Sequence, residues 1–134
     1  MPIMTMKHYT RELIKEHPDW YFIFGDNWAQ KGLGGQAAAA QGEPNSIGVP
    51  TKKAPTYMPE DFLSDETYTS NIVHMIGPYL KIRDILVEGK TVVWPADGIG
   101  TGIADLPNRA PETLKFINCV IESLKKIYGE VPCT

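Results

Sequence analysis

Two turns of the chain combine glycines with acidic and amide side chains, a combination suited to holding a phosphorylated ligand. The first turn covers residues 25–35 and the second covers residues 95–103. Each turn follows an apolar segment, residues 20–24 and residues 91–94, that predicts a buried strand. Glycine lets backbone approach a ligand closely, and free N–H groups in such turns bind anions. We therefore expect the turns to clamp a nucleotide-like diphosphate. The predicted ligand-binding residues are Asp26, Asn27, Gly32, Gly34, Gly35, Asp97, Gly98, Ile99, Gly100, Thr101, Gly102 and Ile103.

Two lysines follow a third predicted strand, which covers residues 47–49 and is expected to stop at Pro50. Ligands of α/β sheets bind at the carboxyl ends of the strands, so this segment places a lysine at the binding edge. Consecutive strand residues point to opposite faces, so one of Lys52 and Lys53 faces the crevice and the other faces away. The polar groups expected to converge there are Asp26, Asn27, Lys52, Lys53, Asp97 and Asp105.

Predicted helices alternate with these strands, which indicates an α/β sandwich. Helices are expected at residues 9–16, at residues 35–41 and from Ser64 to about Leu86, the last one kinked or split at Gly77-Pro78. The final helix has the clearest pattern, with Pro111 and Glu112 in its first turn. Its apolar side chains recur at spacings of three and four: Leu114, Ile117, Ile121, Leu124 and Tyr128.

Composition excludes several classes of function. A net charge of -3 over 134 residues argues against binding nucleic acid through a broad basic surface. No apolar run approaches the eighteen or so residues of a membrane span, and no signal peptide is visible, so we expect a cytoplasmic protein without a membrane partner. Cys119 and Cys133 share no metal-binding motif, and neither a phosphate-loop nor a Rossmann fingerprint is present. We therefore expect neither a metal nor a cofactor.

The order of these motifs resembles that of a macro domain, the ADP-ribose-binding fold. The asparagine-bearing first loop of that fold is matched by residues 25–35, and its diphosphate-wrapping second loop by residues 95–107. Pro50-Thr51-Lys52-Lys53 is similar to a motif of the lysine-dependent subgroup. That subgroup includes the terminal ADP-ribose protein glycohydrolase and the antitoxin that removes ADP-ribose from DNA. The resemblance covers about residues 21–124, and small phage and bacterial proteins share the motif order.

This resemblance implies a single domain, residues 1–134, folded as a three-layer α/β/α sandwich with a mixed, largely parallel central sheet. It implies hydrolysis of the glycosidic bond that joins ADP-ribose to a protein or a nucleic acid. Lys52 would attack the anomeric carbon, with Asp105 as the acid or base and Asp97 as the alternative. A lysine can do so only if burial or a cationic neighbour lowers its pKa.

The remaining roles implied by the resemblance concern the ribose. Asn27 would position the distal ribose together with Gly34 and Gly35. Two other functions stay open on the same residues. One is a non-catalytic module that binds or sequesters ADP-ribose or a related signalling nucleotide, and the other is a phosphatase acting on ADP-ribose phosphate.

Overall fold

A computed structural model describes residues 3–32 and 34–132. Leu33, within the first glycine turn, and Cys133 lie outside the described residues. The described part of the chain forms one sheet of five strands in the order β3-β2-β4-β1-β5. The strands are β1 (Ile3–Met6), β2 (Trp20–Asn27), β3 (Ser46–Lys52), β4 (Thr91–Pro95) and β5 (Glu130–Pro132).

Every pair of neighbouring strands in this sheet is parallel. The expectation of a mixed sheet is therefore wrong. The physical reason is that a helix-containing crossover joins each strand to the next, which returns the chain to the same end of the sheet. The helices are α1 (Arg11–Glu16), α2 (Ala37–Ala40), α3 (Tyr68–Val87), α4 (Leu106–Arg109) and α5 (Pro111–Tyr128).

The helices lie on both faces of the sheet and give it two cores. Alternate side chains of β2 point to opposite faces, as strand geometry requires. Phe22 and Phe24 pack with Ile14 of α1 and the alanines of α2. Ile23 belongs to the other core, with Met75 and Ile117 from α3 and α5. Helices packed on both faces of one sheet confirm the predicted α/β sandwich.

The direction of the crossovers opens a crevice at the carboxyl edge. The connections from β1 to β2 and from β2 to β3 carry α1 and α2 on one face, whereas α3 and α5 follow β3 and β4 on the other. β2 and β4 are neighbours, yet the loops after them leave toward opposite faces. Such a switch point is where ligands bind in parallel α/β sheets.

Several element boundaries differ from the sequence-based expectations. β3 continues through Pro50 to Lys52. It can do so because β3 is an edge strand, where a missing N–H donor is tolerated. α3 begins at Tyr68, after a 3₁₀ turn at Asp65–Thr67, and continues without a split past Pro78. Its buried residues, which include Met75 and Ile82, pack against the sheet, and this packing outweighs the proline.

α5 forms as predicted, from Pro111 to Tyr128. Its first turn is capped from outside the helix by Asp65. The two carboxylate oxygens of Asp65 accept hydrogen bonds from the backbone N–H groups of Glu112 and Thr113, at 2.9 and 3.0 Å. A carboxylate in this place also opposes the positive end of the helix dipole. The contact ties the segment before α3 to the start of α5.

Candidate functional site

The crevice at the carboxyl edge holds a cleft of about 440 Å³. The ends of β1, β2, β3 and β4 form its floor, and the two glycine-rich turns form its walls. The structure brings together all the predicted ligand-binding residues, since each of them lines this cleft: Asp26, Asn27, Gly32, Gly34, Gly35, Asp97, Gly98, Ile99, Gly100, Thr101, Gly102 and Ile103.

The second turn contains a run of backbone N–H groups in residues that line the cleft. Gly98 and Gly100 have φ values of 83° and 85°, a left-handed backbone that favours glycine. Among the described residues, the amide N–H groups of residues 99–103 have no hydrogen-bond acceptor. The buried Ile99 side chain anchors the turn from below. Successive free N–H groups in such a turn form a concavity that binds an anion.

Gly100 holds this turn against the core. A Cβ at this position would lie 2.8 Å from Cγ of Leu106, which is fully buried at the start of α4. The Gly100 carbonyl oxygen also accepts a 2.9 Å hydrogen bond from the Leu106 N–H group. Gly102 differs, because no described atom lies within 4 Å of its Cβ position and its φ is not positive.

We expect Gly100→Ala to destabilise the fold by about 3 kcal/mol, because it adds overpacking to an unfavourable positive φ. Thermal unfolding should show a decrease in Tm of roughly 10 °C. Gly102→Ala is the matched control and should change stability by less than about 0.5 kcal/mol. Equal Tm values for the two variants would contradict the assigned contact between Gly100 and Leu106.

The first turn is ordered from within by Asn27. This buried side chain accepts a hydrogen bond from the Lys31 N–H group and donates one to the Lys31 carbonyl oxygen. Asn27 therefore shapes the turn with the amide group that the resemblance assigns to the ribose. Gly32, at φ 100°, lies against Pro55, where a Cβ would approach to 2.8 Å. Its positive φ and this close approach both require glycine.

The two turns meet at one point of the cleft wall. A Cβ on Gly34 would lie 3.0 Å from Cδ1 of Ile103. The Ile103 side chain therefore extends from the second turn to the first, and both residues line the cleft.

Lys52 ends β3 on the cleft side, and only 7% of its surface is exposed. Its Nζ donates a hydrogen bond to the Thr56 carbonyl oxygen and lies 5.1 Å from the ring centroid of Tyr57. Burial lowers the pKa of Lys52, the Asp61 carboxylate opposes that change, and Arg109 adds to it. A lysine in such surroundings has a larger fraction of neutral, nucleophilic amine than an exposed lysine.

Lys53 is not among the residues that line the cleft. Its Nζ lies 5.5 Å from the ring centroid of Trp28, away from Lys52. Asp105 also lies outside the cleft wall. One of its carboxylate oxygens accepts a 2.8 Å hydrogen bond from Asn108, and the other lies 3.7 Å from Nε of Arg109. Asp97, the alternative acid or base, does line the cleft.

A family profile covers most of this architecture. The profile of the Family of unknown function (DUF7831) matches residues 4–119, a stretch that includes both glycine-rich turns and Lys52. The chain belongs to this family. No curated protein and no solved structure matches the chain.

The cleft of this DUF7831 protein contains two cations that the sequence reasoning missed. Lys7 follows β1 and Lys31 lies in the first turn, and both line the cleft. Gln36 links the two regions, since its side-chain amide donates to the Lys7 carbonyl oxygen and accepts from the Tyr9 N–H group. The run Ile3–Met6 forms β1, but four residues are too few to identify a strand, so no usable sequence signal placed Lys7 at the binding edge.

Asp26 supplies a carboxylate to the same DUF7831 cleft. One of its oxygens accepts a 2.9 Å hydrogen bond from Nε2 of Gln41. Its side chain occupies the space beside Gly48, where a Cβ would lie 2.6 Å from Cβ of Asp26. Gly48 is therefore needed on β3 to accommodate this carboxylate, and Gln41 fixes its orientation.

Within residues 3–32 and 34–132, no three histidine, cysteine or acidic side chains are grouped so that they could hold a metal ion. The same residues include no helix with the length and apolar character needed to cross a membrane.

Proposed function

We propose that this cleft binds ADP-ribose or a related nucleotide diphosphate, in the manner of a macro domain. The observation that carries the proposal is the run of N–H groups in residues 99–103, which line the cleft and have no hydrogen-bond acceptor among the described residues. Such groups match a diphosphate, whose negative charge is spread over several oxygens. Lys7 and Lys31 add positive charge at the same cleft.

The size and polarity of the cleft suit this class of ligand. Its volume of about 440 Å³ lies in the range of small-molecule sites. The carboxylates of Asp26 and Asp97 accept hydrogen bonds, as the hydroxyl groups of two riboses require. Tyr57, a cleft residue with 74% of its surface exposed, offers an aromatic face to a base.

We propose further that the protein hydrolyses a glycosidic bond to ADP-ribose on a modified protein or nucleic acid. The neutral amine of Lys52 attacks the anomeric carbon while the bond to the substrate breaks and the leaving atom takes a proton from Asp97. Water then displaces the lysine and gives its proton to the Asp97 carboxylate. The supporting observation is the burial of Lys52 at the cleft, together with the lowered pKa that burial produces. This proposal entails a cytoplasmic location, where such nucleotides occur.

A non-catalytic binding module is the second candidate. The observation that favours it is the position of Asp105, whose carboxylate is engaged by Asn108 and Arg109 outside the cleft. The hydrogen bond from Nζ of Lys52 to the Thr56 carbonyl oxygen also holds the amine in place. In that case the cleft would sequester ADP-ribose without cleaving it.

Calorimetric titration with ADP-ribose tests the binding proposal. We expect ADP-ribose to bind more tightly than ADP, and ADP more tightly than AMP. The reason is that ADP-ribose can make the most contacts with the two turns and AMP the fewest. AMP lacks the diphosphate and is the control. If ADP-ribose gives no heat of binding at high micromolar concentration, the binding proposal is wrong, whatever the fold resembles.

A further inference from the structure

Two basic side chains, those of Lys52 and Arg109, lie near the same aromatic ring, that of Phe62. Phe62 is buried and pairs with Lys52 through an isolated antiparallel bridge, which fixes the ring at the end of β3. Nζ of Lys52 lies 4.4 Å from the ring centroid. The guanidinium carbon of Arg109 lies 3.6 Å from the same centroid. The negative face of an aromatic ring attracts a cation, so the ring holds the guanidinium group of Arg109 near the Lys52 side chain.

Arg109 is held in this position from α4. Its backbone N–H group donates a 2.9 Å hydrogen bond to the Asp105 carbonyl oxygen, and its Nε lies 3.7 Å from the Asp105 carboxylate. Phe62 itself follows Asp61, whose carbonyl oxygen accepts a 2.8 Å hydrogen bond from the Lys53 N–H group. The arrangement therefore joins α4, the segment before α3 and the end of β3.

We propose that Arg109 is a positioning residue: the positive charge that it places at the Phe62 ring disfavours a second charge on Nζ of Lys52 and thereby favours the neutral, nucleophilic amine. The inference rests on the proposed function, because it assigns Arg109 a task only if Lys52 acts as a nucleophile. It also gives Asp105 a task outside the cleft, since the Asp105 carboxylate partly neutralises Arg109. An arginine suits this position because it stays protonated throughout the working pH range.

The other charged groups around Lys52 act in known directions. Burial is the largest cause of the lowered pKa of Lys52, the Asp61 carboxylate raises the pKa, and Arg109 lowers it by less than Asp61 raises it. The Asp61 carboxylate accepts a hydrogen bond from the Thr56 hydroxyl group, in the loop whose carbonyl oxygen binds Nζ of Lys52. The cleft side adds two further cations and two carboxylates: Lys7, Lys31, Asp26 and Asp97.

The pH dependence of lysine acylation tests this inference without any nucleotide. Acetic anhydride is added to the intact protein at a series of pH values, and the acetylated fraction of each lysine is measured by mass spectrometry. We expect Lys52 to reach half its maximal rate at a lower pH than Lys115, an exposed lysine of α5. Arg109→Gln should move the Lys52 midpoint to higher pH and lower its rate several-fold at neutral pH.

Three further variants separate charge from packing. Arg109→Lys keeps the charge and should retain most of the displacement, whereas Asp105→Asn should move the Lys52 midpoint to lower pH. Arg83→Gln is the matched control, because Arg83 is an exposed residue paired with Asp84 on α3. An unchanged midpoint in Arg109→Gln, or failure of Lys52 to react at any pH, overturns the inference. Absence of ADP-ribose binding alone would instead overturn the proposed function.

Discussion

Gly102→Glu should abolish ADP-ribose binding while leaving the fold intact. Gly102 lies in the second turn, among N–H groups that have no acceptor in the described part of the chain, with no described atom within 4 Å of its Cβ position. A glutamate there adds a carboxylate to the cleft wall, next to the N–H groups that we propose to hold the diphosphate. Juxtaposed like charges cost several kcal/mol, so we expect binding to weaken by at least about 100-fold. Calorimetric titration with ADP-ribose measures the loss.

The matched control is Gly77→Glu. Gly77 lies within α3, also has open space at its Cβ position, and is not a cleft residue. This variant introduces the same charge, so it should bind ADP-ribose as the wild type does. Both variants should unfold within a few degrees of the wild type. Unweakened binding by Gly102→Glu would show that the ligand does not lie against the second turn.

Gly100 is a poor position for the same experiment. Any side chain at Gly100 collides with Leu106 and must adopt a positive φ. A loss of binding in a Gly100 variant would therefore report damage to the turn as much as repulsion of a ligand. The open position of Gly102 separates these two causes, because a substitution there leaves the contact with Leu106 in place.

The parts of the site that follow from local pattern were predictable from the sequence. The two glycine-rich turns begin in the last residues of β2 and β4, since an apolar run followed by glycines predicts a buried strand and a turn. Alternation along a strand predicted that only one of Lys52 and Lys53 would face the cleft, and Lys52 is the one that lines it. These inferences needed no knowledge of which strands are neighbours.

The parts that depend on distant contacts were not predictable in this way. β1 contains only four residues, too few for a periodic pattern, so the position of Lys7 could not be inferred. Asp105 directly precedes α4, with a left-handed φ of 51°, and its carboxylate faces Arg109. The stacking of Arg109 on Phe62 joins residues far apart in the chain, and no local sequence signal encodes it.

Lys52→Met should abolish glycosidic cleavage while leaving ADP-ribose binding within a few-fold of the wild type. A thioether cannot attack the anomeric carbon in place of an amine, whereas methionine fills a similar volume beside Phe62 and Tyr57. Removing a catalytic nucleophile typically reduces turnover by several orders of magnitude, and we expect a loss of at least about 1,000-fold. The measurement is release of ADP-ribose from modified DNA and from modified protein.

Lys53→Met is the matched control, because Lys53 lies outside the cleft wall and contacts Trp28. It should cleave at nearly the wild-type rate. If Lys52→Met retains activity, the lysine is not the nucleophile and the mechanism proposed above is wrong. If neither the wild type nor any variant cleaves, yet all of them bind ADP-ribose, the non-catalytic binding module is supported instead.

Lys52→Met should also be more stable than the wild-type protein at neutral pH. Burial lowers the pKa of Lys52 in the folded state, so the unfolded state binds the proton more tightly and protonation favours unfolding. This cost is fully present at pH values below the folded-state pKa and disappears as the pH rises toward the pKa of an exposed lysine. Methionine carries no such cost.

The excess stability of Lys52→Met, measured by chemical denaturation, should therefore shrink as the pH is raised from neutral into the alkaline range. A difference that does not change with pH would mean that Lys52 is held in the folded protein as an ordinary ammonium group, which is a poor nucleophile.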